Sequence, residues 1–199
     1  MNINKNKIER TRRIIIEAAN QLFKKTGLSE INMNQIAKIA KVARSTVYNY
    51  FHSREEVFSD VIRGELKKIR NALMETLSEK SADRMLEKYF LVRHEILREF
   101  SQLYHNSKDE IKAILPEIKE ESEKLREFEK NLIKEILEYG AKSDEFFVKD
   151  IDLLAETINK FLIGLEKLVI DEEISDEDAK KYYKNFYLIL LSAVKSNNS

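Results

Sequence analysis

An all-α fold is what this chain predicts, on three observations: it has few helix breakers, its apolar residues recur at helical spacing, and no stretch alternates like a strand. The 199 residues include only four Gly and one Pro, whereas an all-β chain turning roughly every ten residues needs more of both. A hydrophobic share of 43% beside 35 acidic and 35 basic residues suits helices that bury one stripe and expose charged faces.

The elements follow in order. Ile8, Ile15, Ala18, Ala19, Leu22 and Phe23 fall on one face of a first helix, which Gly27 can end in a left-handed cap. Asn32 followed by Gln35 resembles a capping box, and Met33, Ile36, Ala37 and Ala40 form the buried stripe of a short second helix. Lys41 and Val42 turn the chain into a third helix over "ARSTVYNYF", and Ser53 with Glu56 forms a second capping box for a long fourth helix from Arg54 to about Glu79. Residues 82–105 form another helix with Met85, Leu86, Tyr89, Phe90, Ile96 and Leu97 inside. A short turn at 108–114 follows, and then a helix opened by Pro116, where a missing N–H costs nothing, running to about Tyr139. The last two helices span 148–171, with Ile151, Leu154, Ile158 and Leu162 on one stripe, and about 176–195, capped by Ser175.

Composition narrows the function. Absence of Cys excludes disulfides and thiolate chemistry, and the charged N-terminal stretch "MNINKNKIERTRRIII" is too polar for a signal peptide or membrane span, so a soluble cytoplasmic protein is expected. The formal net charge of zero is unevenly spread: residues 1–54 carry eleven Lys/Arg against three acids, a net +8, which leaves −8 for the rest. A basic head on an acidic body points to a polyanion as the head's partner.

The third helix shows how that head can read its partner. At about 100° per residue, Ala43, Val47, Tyr50 and Phe51 share one face, assigned to core. Ser45, Tyr48, Asn49 and His52 share the other, with Arg44 and Thr46 on the flanks. That second face is polar and rich in donors, as contacts with phosphates and base edges require. Two short helices joined by a tight turn, the second carrying such a face, form a helix-turn-helix.

The run "INMNQIAKIAKVARSTVYNYFHSREEVFSDVI" closely resembles the DNA-binding segment of the TetR family of bacterial transcriptional repressors. The parts that match are Ile36-Ala37, the turn at Lys41-Val42, Arg44 to Thr46, Tyr48-Asn49-Tyr50-Phe51, Ser53, and Arg54 to Phe58. Two positions depart from the pattern: Lys41 stands where the family commonly has Gly, and Ala43 where it has a capping Ser or Thr. Losing that cap costs on the order of 1 kcal/mol and one phosphate contact, some of which Lys41 and Arg44 can take over.

The resemblance implies a DNA-binding domain over 1–53 and a helical ligand-binding and dimerisation domain over 54–199. It implies a repressor that binds a palindromic double-stranded operator as a homodimer, held by the last two long helices, and is released by a small lipophilic or anionic effector. Arg44 and Ser45 are then the base readers, Thr46, Tyr48 and Asn49 phosphate or base contacts, Arg54 a phosphate clamp, and Lys41 a further contact. Arg12 and Arg13 are candidates for flanking phosphates. Phe161, Leu165, Leu168, Tyr183, Phe186, Tyr187 and Leu190 offer apolar surface for the dimer. Arg93, a charge on an apolar stripe, needs an acidic partner or an anionic effector, and Tyr89, His94 and Asn159 are polar groups beside similar stripes, as are Tyr104, His105 and Tyr139.

Rival functions have less to stand on. No Glu stands three residues before His52, His94 or His105, so a di-iron bundle lacks its ligands, and there is no Gly-rich phosphate loop. No enzyme, cofactor or metal is therefore expected. A helical DNA-binding protein controlled by a protein partner, with no small-molecule effector, remains the alternative.

Overall fold

The computed structural model describes residues 2–27, 30–105, 108–171 and 173–195; of residues 2–5, 100, 102–105, 108–110 and 115 it describes no side chains, so Tyr104 and His105 lie outside the described residues in that respect. Among the described residues, eight α-helices follow one another: α1 (Asn2–Thr26), α2 (Met33–Ala40), α3 (Arg44–Tyr50), α4 (Arg54–Met74), α5 (Ala82–His105), α6 (Lys108–Lys142), α7 (Ile151–Ile170) and α8 (Asp176–Val194). One 3₁₀ turn, Glu75–Ser78, follows α4, and an isolated antiparallel bridge joins Phe146 to Lys195. Two compact units result: residues 1–66 with 102–121, and residues 67–101 with 122–199.

In the first unit, α1 packs on α2 and α2 on α3. Ile15, Ala18, Ala19 and Phe23 are buried as their spacing requires, and the Phe23 and Phe58 rings meet edge to face at 4.8 Å. Ile8, expected on the same stripe, is half exposed, because the stripe's burial begins further along α1. Local signals set the ends. Gly27 takes φ 77° and donates its N–H to the Phe23 carbonyl at 3.1 Å. The Asn32–Gln35 capping box is complete, with the Asn32 Oδ1 accepting from the Gln35 N–H at 3.1 Å and the Gln35 Oε1 from the Asn32 N–H at 2.8 Å. At α4 the Glu56 N–H donates to Ser53 Oγ at 3.1 Å, but the Glu56 carboxylate reaches the His52 N–H, one residue earlier than a capping box requires.

Pro116 does not open a helix; it lies inside α6. An interior proline removes one backbone hydrogen bond, and here Ile111, Ile114 and Ile118 compensate by carrying one buried stripe through it.

The second unit encloses an aliphatic and aromatic core that includes Leu86, Tyr89, Phe90, Leu97, Leu132, Ile133, Ile136, Leu137, Ile158 and Leu162. Asp150 caps α7 by accepting from the Leu153 N–H at 2.9 Å, and Ser175 caps α8 by accepting from the Asp178 N–H at 3.0 Å. The exposed apolar residues of the last two helices share Leu168 with the set their spacing suggests, of which Phe161, Phe186 and Tyr187 are half-buried. Leu165, Tyr183 and Leu190 are buried within the unit, whereas Leu153, Leu168, Tyr182, Leu188 and Ile189 are exposed.

Candidate nucleic-acid interface

The turn between α2 and α3 is made without glycine. Lys41 sits in the left-handed region at φ 55° and ψ 40°, its N–H bonded to the Ala37 and Lys38 carbonyls, while the Val42 N–H returns to the Ala37 carbonyl at 3.1 Å. These bonds end α2 in the manner of a Schellman turn, at a backbone cost of roughly 1 kcal/mol for a side chain in that region. Ala43 then caps α3 with extended backbone and no side-chain bond.

Seven residues make a helix too short to stand alone, so α3 depends on its buried anchors. Val47 and Phe51 are fully buried. Two residues assigned to that face differ: Ala43 is exposed and Tyr50 only half-buried, because the face meets the rest of the unit along its middle and C-terminal end. Opposite lie Arg44, Ser45, Tyr48 and Asn49, all exposed, with Thr46 half-buried between the faces and Lys41 exposed in the turn. The Arg44 guanidinium lies over the Tyr48 ring, 5.3 Å from its centre, so the two largest side chains of the outer face support one another.

Arg54 is more committed than a bare phosphate clamp. Its Nε meets the Glu55 carboxylate at 2.8 Å and its Nη1 donates to the Ile31 carbonyl at 3.2 Å, which ties the start of α4 to the chain before α2. Arg13 pairs along α1 with Glu17 at 3.7 Å. Arg12, the other candidate for flanking phosphates, pairs with Asp60 and lies over the Phe51 ring, 5.2 Å from its centre.

In the second unit, Arg93 is 5% exposed and bound on both sides, to Glu129 of α6 at 2.8 Å and to Glu166 of α7 at 2.6 Å. Burial alone pulls the Arg93 guanidinium down, but these two carboxylates hold it well above its ordinary value. The Glu129 carboxyl is pushed up by burial, against the pull of Arg93. Tyr89 and Tyr183 belong to the same electrostatic cluster; burial raises both, Tyr183 to about 12. Both hydroxyls are buried without a hydrogen-bond partner among the described residues. His94 faces Asp176 at 3.6 Å and the Tyr183 ring at 5.6 Å, whereas Asn159 is tied elsewhere, donating to the Arg126 carbonyl at 2.9 Å. The sequence held a signal for Glu129 as well, since it breaks an apolar stripe with Leu132, Ile133 and Ile136. Among the described residues, no group of His, Asp and Glu could hold a metal ion, and no helix is long and apolar enough to cross a membrane.

Fold and outer face together define a helix-turn-helix DNA-binding protein. Residues 15–61 match the family model described as bacterial regulatory proteins, tetR family. The HTH-type transcriptional regulator YhgD of Bacillus subtilis is 30% identical over 66 residues, 33% of this chain and 35% of that protein, so the match spans about a third of its length. The HTH-type transcriptional regulator SAB2452 of Staphylococcus aureus is 25% identical over 92% of this chain and 95% of its own. A crystal structure of a transcriptional regulator from Cytophaga hutchinsonii shares the fold, with a TM-score of 0.82 over 92% of this chain and 98% of that one at 24% identity. Residues 15–61 thus carry the DNA-binding segment of the TetR family of bacterial regulators, and the whole chain is similar to HTH-type transcriptional regulators.

Proposed function

We propose that the chain is a repressor that binds a palindromic operator as a homodimer and releases it when a small molecule enters the larger helical domain. One observation carries the reading: a seven-residue helix whose buried side is two anchors, Val47 and Phe51, and whose outer side is Arg44, Ser45, Tyr48 and Asn49. Arg44 and Ser45 read bases near the start of α3; Thr46, Tyr48, Asn49, Lys41 and Arg54 meet phosphates or bases around them. The domain boundary falls between residues 53 and 54, with the DNA-binding domain before it and the regulatory domain after, Arg54 at the start of α4 being the one contact supplied from beyond it. The role is regulatory rather than enzymatic, and cytoplasmic, where the DNA is.

Dimerisation through α7 and α8 is supported by the exposed Leu153, Leu168, Tyr182, Leu188 and Ile189, more apolar surface than two monomer helices leave in water without cause. For the effector, Tyr89, Arg93, His94 and Asn159 are the candidate contacts. The buried hydroxyls of Tyr89 and Tyr183 are the polar groups with most to gain from a ligand. Arg93 is already matched by two carboxylates, which favours an uncharged hydrogen-bonding head on a lipophilic body over an anion.

Equilibrium titration of a labelled random-sequence duplex by the full chain at graded salt tests the DNA-binding core of the proposal. The observed affinity should fall steeply as salt rises, by about a thousandfold or more between 50 and 200 mM if six or more phosphates are contacted. A flat response speaks against DNA as the partner. Compounds added to the same titration test the effector: one that frees the duplex from the wild-type chain but not from a Tyr89→Phe variant supports the assignment, and equal release from both removes Tyr89 from the contact set.

A further inference from the structure

We propose that Arg12 is a positioning residue for the recognition helix, acting through Phe51, and not a phosphate contact; this rests on the DNA-reading role proposed for α3. With only seven residues, a side-chain-free cap at Ala43 and a left-handed Lys41 before it, α3 has little of its own to fix its angle. Its C-terminal end is fixed by Phe51, fully buried, whose N–H bonds the Val47 carbonyl at 3.0 Å.

Over that ring lies the Arg12 guanidinium from α1, 5.2 Å from its centre. Arg12 is itself held by Asp60 of α4, a carboxylate whose side chain is only 9% exposed and therefore needs a cation. The other oxygen of Asp60 takes Arg63 Nη1 at 3.3 Å, and Arg63 is secured in turn to the Glu117 carbonyl at 3.1 Å and the Glu121 carboxylate at 2.9 Å. Arg12 thus joins three elements at one point: α1, which carries it, α4, which holds its charge, and the end of α3, whose Phe51 ring it lies over. A planar guanidinium can pair with a carboxylate and stack on a ring at once, and an ammonium cannot. Leaving for a phosphate would strip Asp60 of this partner and uncover the Phe51 ring.

The test uses the full chain and two labelled duplexes: one enriched by the wild-type protein from a randomised pool, and a scrambled duplex of the same composition. Arg12→Lys keeps the charge but loses the plane, and Asp60→Asn removes a negative charge from a DNA-binding unit. Positioning predicts that both variants lose affinity for the enriched duplex by on the order of tenfold, with the scrambled duplex bound as before or, for Asp60→Asn, more tightly. The salt slope should not change for Arg12→Lys, because no phosphate contact is removed. Thermal midpoints identify a variant that fails to fold, in which case the other carries the test. Wild-type affinity for the enriched duplex in a folded variant, or an equal loss on both duplexes, overturns the proposal. Failure of the wild-type chain to enrich any duplex overturns the DNA-reading role itself, and the positioning role with it.

Discussion

Arg93 sits between Glu129 and Glu166 in a region otherwise built of aliphatic and aromatic side chains, and removing it exposes what such a cluster costs. Arg93→Met leaves Glu129, 3% exposed, as a buried carboxylate without its cation, for a loss of about 3–5 kcal/mol in urea unfolding. Changing Glu129→Leu in the same chain should recover much of it, since the pair is then replaced by apolar groups of similar size. A loss below about 1 kcal/mol for the single variant contradicts the burial of the cluster. The misfits of Arg93 and Glu129 were each legible in the sequence, because a charge on an apolar stripe is visible in the spacing. That the two pair, and that Glu166 joins them, was not, because tertiary packing selects which charges meet. Burial on α3 was half legible for a related reason: a helical wheel gives the angle of Ala43 and Tyr50 but not how far along the helix the covering elements extend.

At the scale of the element, helix ends are where the sequence spoke most clearly. Gly27, Asn32 with Gln35, Ser53 and Ser175 all act at the ends their residue types suggested, because capping is decided within a few residues. Pro116 misled for the opposite reason: its preference for a first turn is local, but the stripe of Ile111, Ile114 and Ile118 that carries α6 through it is buried by distant elements. The turn before α3 offers a direct check on strain. Lys41→Gly should stabilise the fold by about 1 kcal/mol in urea unfolding by removing a side chain from the left-handed region. The same change should weaken DNA binding if Lys41 meets a phosphate, so stability and affinity move in opposite directions. Destabilisation shows instead that the Lys41 side chain contributes to the folded state.

For the whole molecule, the helical class was legible from composition and spacing, and the DNA-reading segment from a contiguous run of about thirty residues, because both are written locally. The organisation of the second unit was less so: its buried polar cluster and its exposed apolar set on α7 and α8 both follow from how four long helices share their faces. The uneven charge, +8 over residues 1–54 against −8 elsewhere, agrees with a chain that meets DNA by one end only. Enrichment of a randomised duplex pool, run in parallel with the wild-type chain and an Arg44→Ala/Tyr48→Ala variant, tests the outer face of α3 most directly. The account predicts that the wild type recovers a two-fold symmetric sequence with half-sites about one helical turn, or a multiple of it, apart. It predicts that the variant recovers none while its stability stays within about 1 kcal/mol, as befits exposed positions. Recovery of the same sequence by the variant would contradict it.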